Sequence, residues 1–177
     1  MNLRKYACYQ VYYQQQYNLL PSQKYHIEHL LFKKLTKLLV ANNYQEIGFL
    51  HTYKDDLEVY AVIDEMLKTK SYVYYSEFKN NKIIFNKITN LYADSVMKHG
   101  YLQFVNKQYL TNNLNVIVVA LQGYYEDKGL IYEEKFFKYL KNFSGKKIGY
   151  VNKNYELKPE FRNLDLQIIK LDKIILI

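Results

Sequence analysis

The chain has one cysteine, two prolines, six glycines and no tryptophan in 177 residues. A lone Cys8 excludes an internal disulfide and suits a reducing compartment. So few glycines leave little material for backbone loops that cradle phosphates. The sequence contains no Walker loop, glycine-rich dinucleotide turn or nucleophile elbow. No apolar run approaches the roughly 18 residues of a membrane-spanning helix; the longest, Val116 to Leu121, has the length of a strand. The opening Met1-Asn2-Leu3-Arg4-Lys5-Tyr6 leads into neither a signal-peptide core nor an Arg/Ser-rich presequence. The expectation is a chain with no membrane partner, made where it works or carrying no cleavable address.

What is abundant is tyrosine, lysine and asparagine. There are 21 Tyr and 9 Phe, and 25 basic residues stand against 17 acidic ones, a formal charge of +8 with pI near 9.2. Codon drift in an AT-rich genome accounts for most of the tyrosine count. The charge favours a polyanionic partner, because lysines that neutralise phosphates release counterions. Apolar residues at 49% are enough for a buried core.

Periodicity divides the chain into helices and strands. Leu3 to Tyr17 reads as a helix broken by Pro21-Ser22, and Lys24 to Glu28 alternates as a short strand. Leu30 to Asn42 carries the clearest helical stripe, Leu31, Leu35, Leu38 and Leu39, with Lys33, Lys34 and Lys37 off it and Asn42-Asn43 ending it. Glu46 to Thr52 reads as a strand and Asp55 to Lys68 as a helix. Ser71 to Phe78 and Ile83 to Ile88 flank Asn80-Asn81 as a hairpin. After a strand at Gly100 to Val105 and a helical turn at Lys107 to Asn113, Val116 to Leu121 is a β-branched run suited to a sheet interior. Gly123 to Gly129 reads as a loop, Tyr132 to Asn142 as a helix with Phe136, Phe137 and Leu140 inward, and Lys146 to Val151 as a strand. Leu166 to Ile169 and Lys173 to Ile177 close the chain as strands. The class is α+β: an N-terminal α/β subdomain over residues 1–78, a β-rich subdomain with one helix over 79–151, and a terminal segment over 152–177.

Chemistry-bearing constellations are sparse. His26-Ile27-Glu28-His29 places its histidines three apart, on opposite faces of a strand, and nothing completes a ligand shell, so no metal is expected. His51 and His99 stand alone. The acidic pairs Asp55-Asp56, Asp64-Glu65, Glu126-Asp127 and Glu133-Glu134 are adjacent in sequence and diverge in space, so none is a ready acid/base pair. No cofactor and no catalytic residue is expected. Basic residues cluster at Lys135, Lys138, Lys141, Lys146 and Lys147, after a segment bearing Tyr124, Tyr125, Lys128 and Gly129. Lysines beside tyrosines suit phosphate contact plus base stacking.

The hairpin Ser71 to Ile88, the elements from Tyr101 to Val119, Lys128-Gly129-Leu130-Ile131 and Ser144-Gly145-Lys146-Lys147-Ile148 resemble the small-subunit ribosomal protein eight family. Lys24 to Phe49 is similar to it by element order, with Lys33 at a basic position near a helix start; against that family, residues near 55–70 read as an insertion and 152–177 as an extension. The resemblance implies a structural, non-catalytic constituent of a mitochondrial ribosome, in the mitochondrial matrix. Its partners would be ribosomal RNA of the central domain and neighbouring small-subunit proteins. It implies RNA contacts at Lys33, Lys34, Tyr124, Tyr125, Lys128, Gly129, Lys146 and Lys147. Glu126 and Asp127 depart from the family's hydroxyl-rich loop there, since acidic groups repel phosphate. The alternatives are a protein–protein scaffold subunit of another organellar or viral assembly, with tyrosines as anchors, and a small phage- or plasmid-encoded nuclease or inhibitor.

Overall fold

The structure is a computed structural model that describes residues 19–50, 57–98, 101–104, 113–131, 133–162 and 167–177. The helices expected over Leu3 to Tyr17 and Lys107 to Asn113, with Cys8, His51, His99 and Asp55-Asp56, lie outside these residues, the second apart from Asn113. Helix α1 spans Pro21–Ala41. Pro21 starts this helix rather than breaking one. At the first helical position its missing N–H is among the groups with no intrahelical partner anyway. The Leu20 N–H donates to the Gln23 side chain at 2.9 Å, and Lys24 N–H donates to Leu20 O at 2.9 Å. The expected strand at Lys24 to Glu28 is therefore helix. Its alternation was also compatible with a helical stripe continuing back from Leu31 and Leu35 to Ile27. At the other end Asn43 adopts φ 49°, the left-handed stop anticipated there.

Next come β1 (Glu46–Phe49), α2 (Tyr60–Leu67), β2 (Tyr72–Lys79) and β3 (Lys82–Ile88). Asn80 and Asn81, at φ 51° and 59°, form the two-residue turn of the β2–β3 hairpin. A short helix α3 (Leu91–Asp94) leads to the ribbon β4 (Ser95–Lys98) and β5 (Tyr101–Phe104). Then follow β6 (Val116–Ala120), β7 (Gly123–Tyr125), β8 (Lys128–Leu130), α4 (Glu134–Asn142), β9 (Lys146–Val151), α5 (Pro159–Arg162), β10 (Ile168–Lys170) and β11 (Lys173–Leu176). The mixed helix-and-strand class expected from the sequence is the class observed.

The main sheet has the order β11-β9-β6-β1-β2-β3, and every neighbouring pair in it is parallel except β2–β3. Strands from both sides of residue 78 share this one sheet. Parallel neighbours need crossovers, and α2 supplies the one between β1 and β2. Alternate residues of each central strand enter opposite layers. Ile47, Phe49, Val116 and Val118 pack with Leu31, Leu35, Leu39, Val62, Ile63 and Met66 of α1 and α2. Leu50, Ile117 and Val119 pack with Phe136 and Leu140 of α4. Burial on both faces explains why β6 is a continuous apolar run; each such side chain contributes about 1.5–3 kcal/mol. A smaller sheet, β10-β8-β7, lies beyond β6, and β11 forms the outer edge of the main sheet.

Candidate functional site

From β1 the chain first moves outward on one side to β2 and β3. It then returns to the other side of β1 as β6 and continues through β9 to β11. The order therefore reverses between β1 and β6. In open α/β sheets such a switch leaves a crevice at the carboxyl ends of the strands, here Phe49-Leu50 and Ala120-Leu121-Gln122. Buried polar side chains gather at that end. Ser76 follows the Tyr75 paired with Phe49, Asn86 stands opposite Tyr75, and Gln122 and Asn152 follow β6 and β9. Ser95, the remaining buried polar side chain among the described residues, bonds Leu91 O at the end of α3 instead. Burying a polar group costs free energy unless it is hydrogen-bonded, and Asn152 accepts the Asn154 N–H at 3.0 Å, capping the turn that follows β9.

On the α1–α2 side of this end lies a groove of about 270 Å³, lined chiefly by Tyr25, Glu28, His29, Phe32, Glu58 and Tyr60. Tyr150 at the end of β9 donates its hydroxyl to Leu57 O at 3.2 Å, tying the entry of α2 across the sheet. Glu58 N–H donates to Glu28 Oε1 at 3.1 Å, and Glu28 also faces Lys24 at 3.6 Å. The groove therefore combines three aromatic rings with two carboxylates on a chain of net charge +8. Tyr60 sits 6.5 Å from Tyr75, ring to ring. Burial pushes the Tyr60 hydroxyl up from its ordinary range and the Glu58 charge adds to this, while a hydrogen bond with Tyr75 opposes both. It stays protonated at neutral pH and can donate. Behind it Asn86, fully buried, donates Nδ2 to Glu77 Oε2 at 3.2 Å, and its Oδ1 has no hydrogen-bond partner among the described residues.

On the opposite face Lys135 lies 4.2 Å over the Phe78 ring and pairs with Glu133 at 2.5 Å. Burial lowers the Lys135 ammonium and raises the Glu133 carboxyl from their ordinary ranges. A half-desolvated ion pair beside a groove is a feature of binding sites as well as of structural networks.

The residues expected to contact RNA lie on α1, β7, β8 and β9. Lys33 and Lys34 are exposed on α1, and Lys34 Nζ donates to Leu176 O at 2.7 Å, seating the helix on β11. Gly123 to Gly129 is not a loop. It forms the β7–β8 hairpin, turned by Glu126 at φ 52°. Tyr124 is buried, its hydroxyl donating to Lys153 O at 3.1 Å. Tyr125 has Lys128 Nζ at 4.9 Å and Arg162 at 5.2 Å from its ring, so the protein's own cations occupy it. Asp127 pairs with Lys170 at 3.3 Å. Gly129 is required because a Cβ there would meet Leu121 and Leu171 at 2.7–2.8 Å. Lys146 and Lys147 begin β9 at the amino end of the sheet, where Asp172 pairs with Lys146 at 3.1 Å and accepts the Lys147 N–H at 2.8 Å. Lys147 Nζ donates to Phe143 O at 3.1 Å.

Glu58, Tyr60 and Tyr25 went unnoticed in the sequence, and Glu28 and His29 drew notice only as metal ligands. Tyr25, Glu28, His29 and Phe32 fall on one helical face, a signal hidden by reading Lys24 to Glu28 as a strand. The same correction removes the argument that His26 and His29 point apart. Among the described residues, no group of three His, Cys, Asp or Glu side chains is placed to hold a metal. Gly123, Gly129 and Gly149 are filled by leucine side chains rather than lining a ligand cradle. No described helix is long and apolar enough to cross a membrane.

No family model and no curated protein matches the chain. Solved structures do. The chain is similar to a 5,10-methenyltetrahydrofolate synthetase of Aquifex aeolicus, with a TM-score of 0.79 and 14% identity over 97% of this chain and 89% of that one. It is also similar to a 5,10-methenyltetrahydrofolate synthetase of Mycoplasma pneumoniae, with a TM-score of 0.74 and 18% identity over 97% of both chains. These likenesses overturn the resemblance to ribosomal protein eight, which rested on a generic hairpin, sparse identities and element order. With it fall the ribosomal and RNA-binding function, the ribosomal RNA and ribosomal-protein partners, the scaffold alternative and the expectation of a non-catalytic chain. The chain has the fold of these two synthetases.

Proposed function

We propose that the chain is an enzyme of one-carbon folate metabolism that binds a reduced folate at the carboxyl end of its sheet. Fold alone does not carry activity. The observation that carries this reading is the α1–α2 groove, with its rings of Tyr25, Phe32 and Tyr60 and its carboxylates of Glu28 and Glu58. A pterin is a flat bicycle whose 2-amino and ring N–H groups form an edge of adjacent donors. A carboxylate accepts two such donors side by side, and aromatic rings cover the flat faces. An acidic, aromatic recess on a basic protein suits that donor edge better than it suits a phosphate. A groove of about 270 Å³ is near the lower limit for a small-molecule site, room for the pterin and little more.

The neighbours' product carries one carbon bridging N5 and N10 at the oxidation level of formate. Water loss from a formyl group on one of those nitrogens, with attack by the other, forms that bridge. The departing oxygen must accept protons, and the protonated Tyr60 hydroxyl can donate a hydrogen bond there. The test is a calorimetric titration with 5-formyltetrahydrofolate, followed by an assay for the near-ultraviolet absorbance of the methenyl product. The assay is run without and with a nucleoside triphosphate, which would phosphorylate the formyl oxygen so that it leaves as phosphate instead of water. Saturable binding weakened by Tyr60→Ala supports the reading; absence of binding by the intact chain refutes it.

A further inference from the structure

We propose that the groove between the β2–β3 hairpin and α4 is a second ligand site, taking a small amphipathic monocarboxylate with an aromatic body. It lies on the face of the sheet opposite the α1–α2 groove, and it does not depend on the folate reading.

One part, of about 440 Å³, is walled mainly by Ile83, Phe85, Leu114, Tyr139 and Phe143. Its rings form a short ladder, with Phe85 to Tyr139 at 5.7 Å and tilted, and Tyr139 to Phe143 at 6.2 Å and nearly parallel. The adjoining part, of about 510 Å³, shares Ile83 and Tyr139 and brings in Phe78, Lys82, Lys135 and Lys138. The first part thus sets its rings beside the polar Asn142 and Ser144, the second carries the lysines, and sites of this size accept small molecules.

The charges select the ligand. Lys135 is held over Phe78 and Phe136, at 4.2 and 5.2 Å, and against Glu133. Burial lowers its ammonium and raises that carboxyl, and the ammonium, with one carboxylate and two ring faces as its partners here, keeps donor capacity for an added carboxylate. Lys138 pairs with Glu134 at 2.7 Å, but both side chains are about two-thirds exposed, so the pair yields easily to a ligand. Lys82 is exposed at the hairpin turn. Glu133 and Glu134 open α4, so its amino end repels a multiply charged phosphate that a helix terminus would otherwise attract. A single negative charge is what three lysines tempered by two glutamates accommodate.

The probe is 3-phenylpropionate titrated into the full chain and followed by amide chemical shifts, with 3-phenylpropionamide as the uncharged control. Saturable shifts confined to the β2–β3 turn and α4 are expected, with the amide binding about tenfold more weakly, the weight of a charge-assisted hydrogen bond. The double substitution Lys82→Gln, Lys138→Gln should weaken the acid by a similar factor while leaving the melting temperature in place. Tyr139→Ala should weaken acid and amide alike. Equal affinity for acid and amide, shifts centred elsewhere, or no saturation would overturn the site. None of these outcomes bears on folate binding, which is read from a separate titration.

Discussion

Substituting Glu58 by Gln tests the α1–α2 groove with the least disturbance to the fold. Glu58 is exposed, and its tie to α1 runs through its backbone N–H to Glu28 Oε1, which the substitution leaves intact. Unfolding stability should therefore stay within about 0.5 kcal/mol, the usual range for surface changes. Ligand binding should change more. A carboxylate offers two acceptors to the donor edge of a pterin, whereas the glutamine amide offers one acceptor and turns an N–H toward a donor. Losing a charge-assisted hydrogen bond costs about 1.5–3 kcal/mol, or roughly ten- to 150-fold in affinity, and the open groove places the expectation toward the lower figure. Calorimetry with 5-formyltetrahydrofolate at constant ionic strength reads this directly. Glu28→Gln should weaken binding as well, and it should lower stability slightly, because Glu28 also holds the Glu58 N–H. If Glu58→Gln binds within twofold of the parent protein, the groove does not read the pterin edge.

Other expectations concern the fold. Leu35 is fully buried against the sheet, so Leu35→Ala should cost about 2–5 kcal/mol in urea unfolding; a cost below about 0.5 kcal/mol would mean that α1 faces otherwise. Gly129→Ala should cost about 1–3 kcal/mol, because its Cβ would overlap Leu121 and Leu171 in a packed layer; an unchanged urea midpoint would contradict that packing. Burial raises the hydroxyls of Tyr60, Tyr74, Tyr124, Tyr139 and Tyr155. Unfolded tyrosines release protons near pH 10 while these still hold theirs, so the folded state binds more protons there. The stabilisation is fully present below about pH 10 and is lost as pH rises toward the higher folded values. The urea midpoint should fall across that window, and Tyr74→Phe should flatten the fall; a midpoint independent of alkaline pH would disprove the burial.

Local chemistry alone was enough to specify several elements. The Leu31, Leu35 and Leu39 stripe, the Asn80-Asn81 turn, the β-branched β6 and the Phe136/Leu140 face of α4 each depend on propensity and on periods of 3.6 or 2. Those signals lie within a few residues, so they are readable without knowledge of partners. Strand order is not a local property. Whether β1 pairs with β2 and β6, or with something else, is decided by which crossovers bury both faces of Ile47 to Leu50 at once. Nothing within Glu46 to Phe49 states its neighbours.

The same separation explains the errors about function. Lys24 to Glu28 fits a strand and a helix equally well by alternation; the helix prevails because Ile27 then extends the stripe that packs on the sheet. Tyr125, Lys128 and Gly129 look like an RNA-binding loop when only their side-chain types are considered. Antiparallel pairing of β7 with β8 and the arrival of Arg162 from 37 residues further along make the segment a hairpin and set the protein's own cations against the half-buried Tyr125. Glu28 and Glu58 become neighbours only because α2 crosses back over α1. Composition established a basic, core-forming chain with little glycine to cradle phosphate, and periodicity its α+β class. The acidic aromatic groove arises from long-range packing, because its carboxylates, Glu28 and Glu58, are 30 residues apart and meet only through the approach of α1 and α2 over the sheet beneath them.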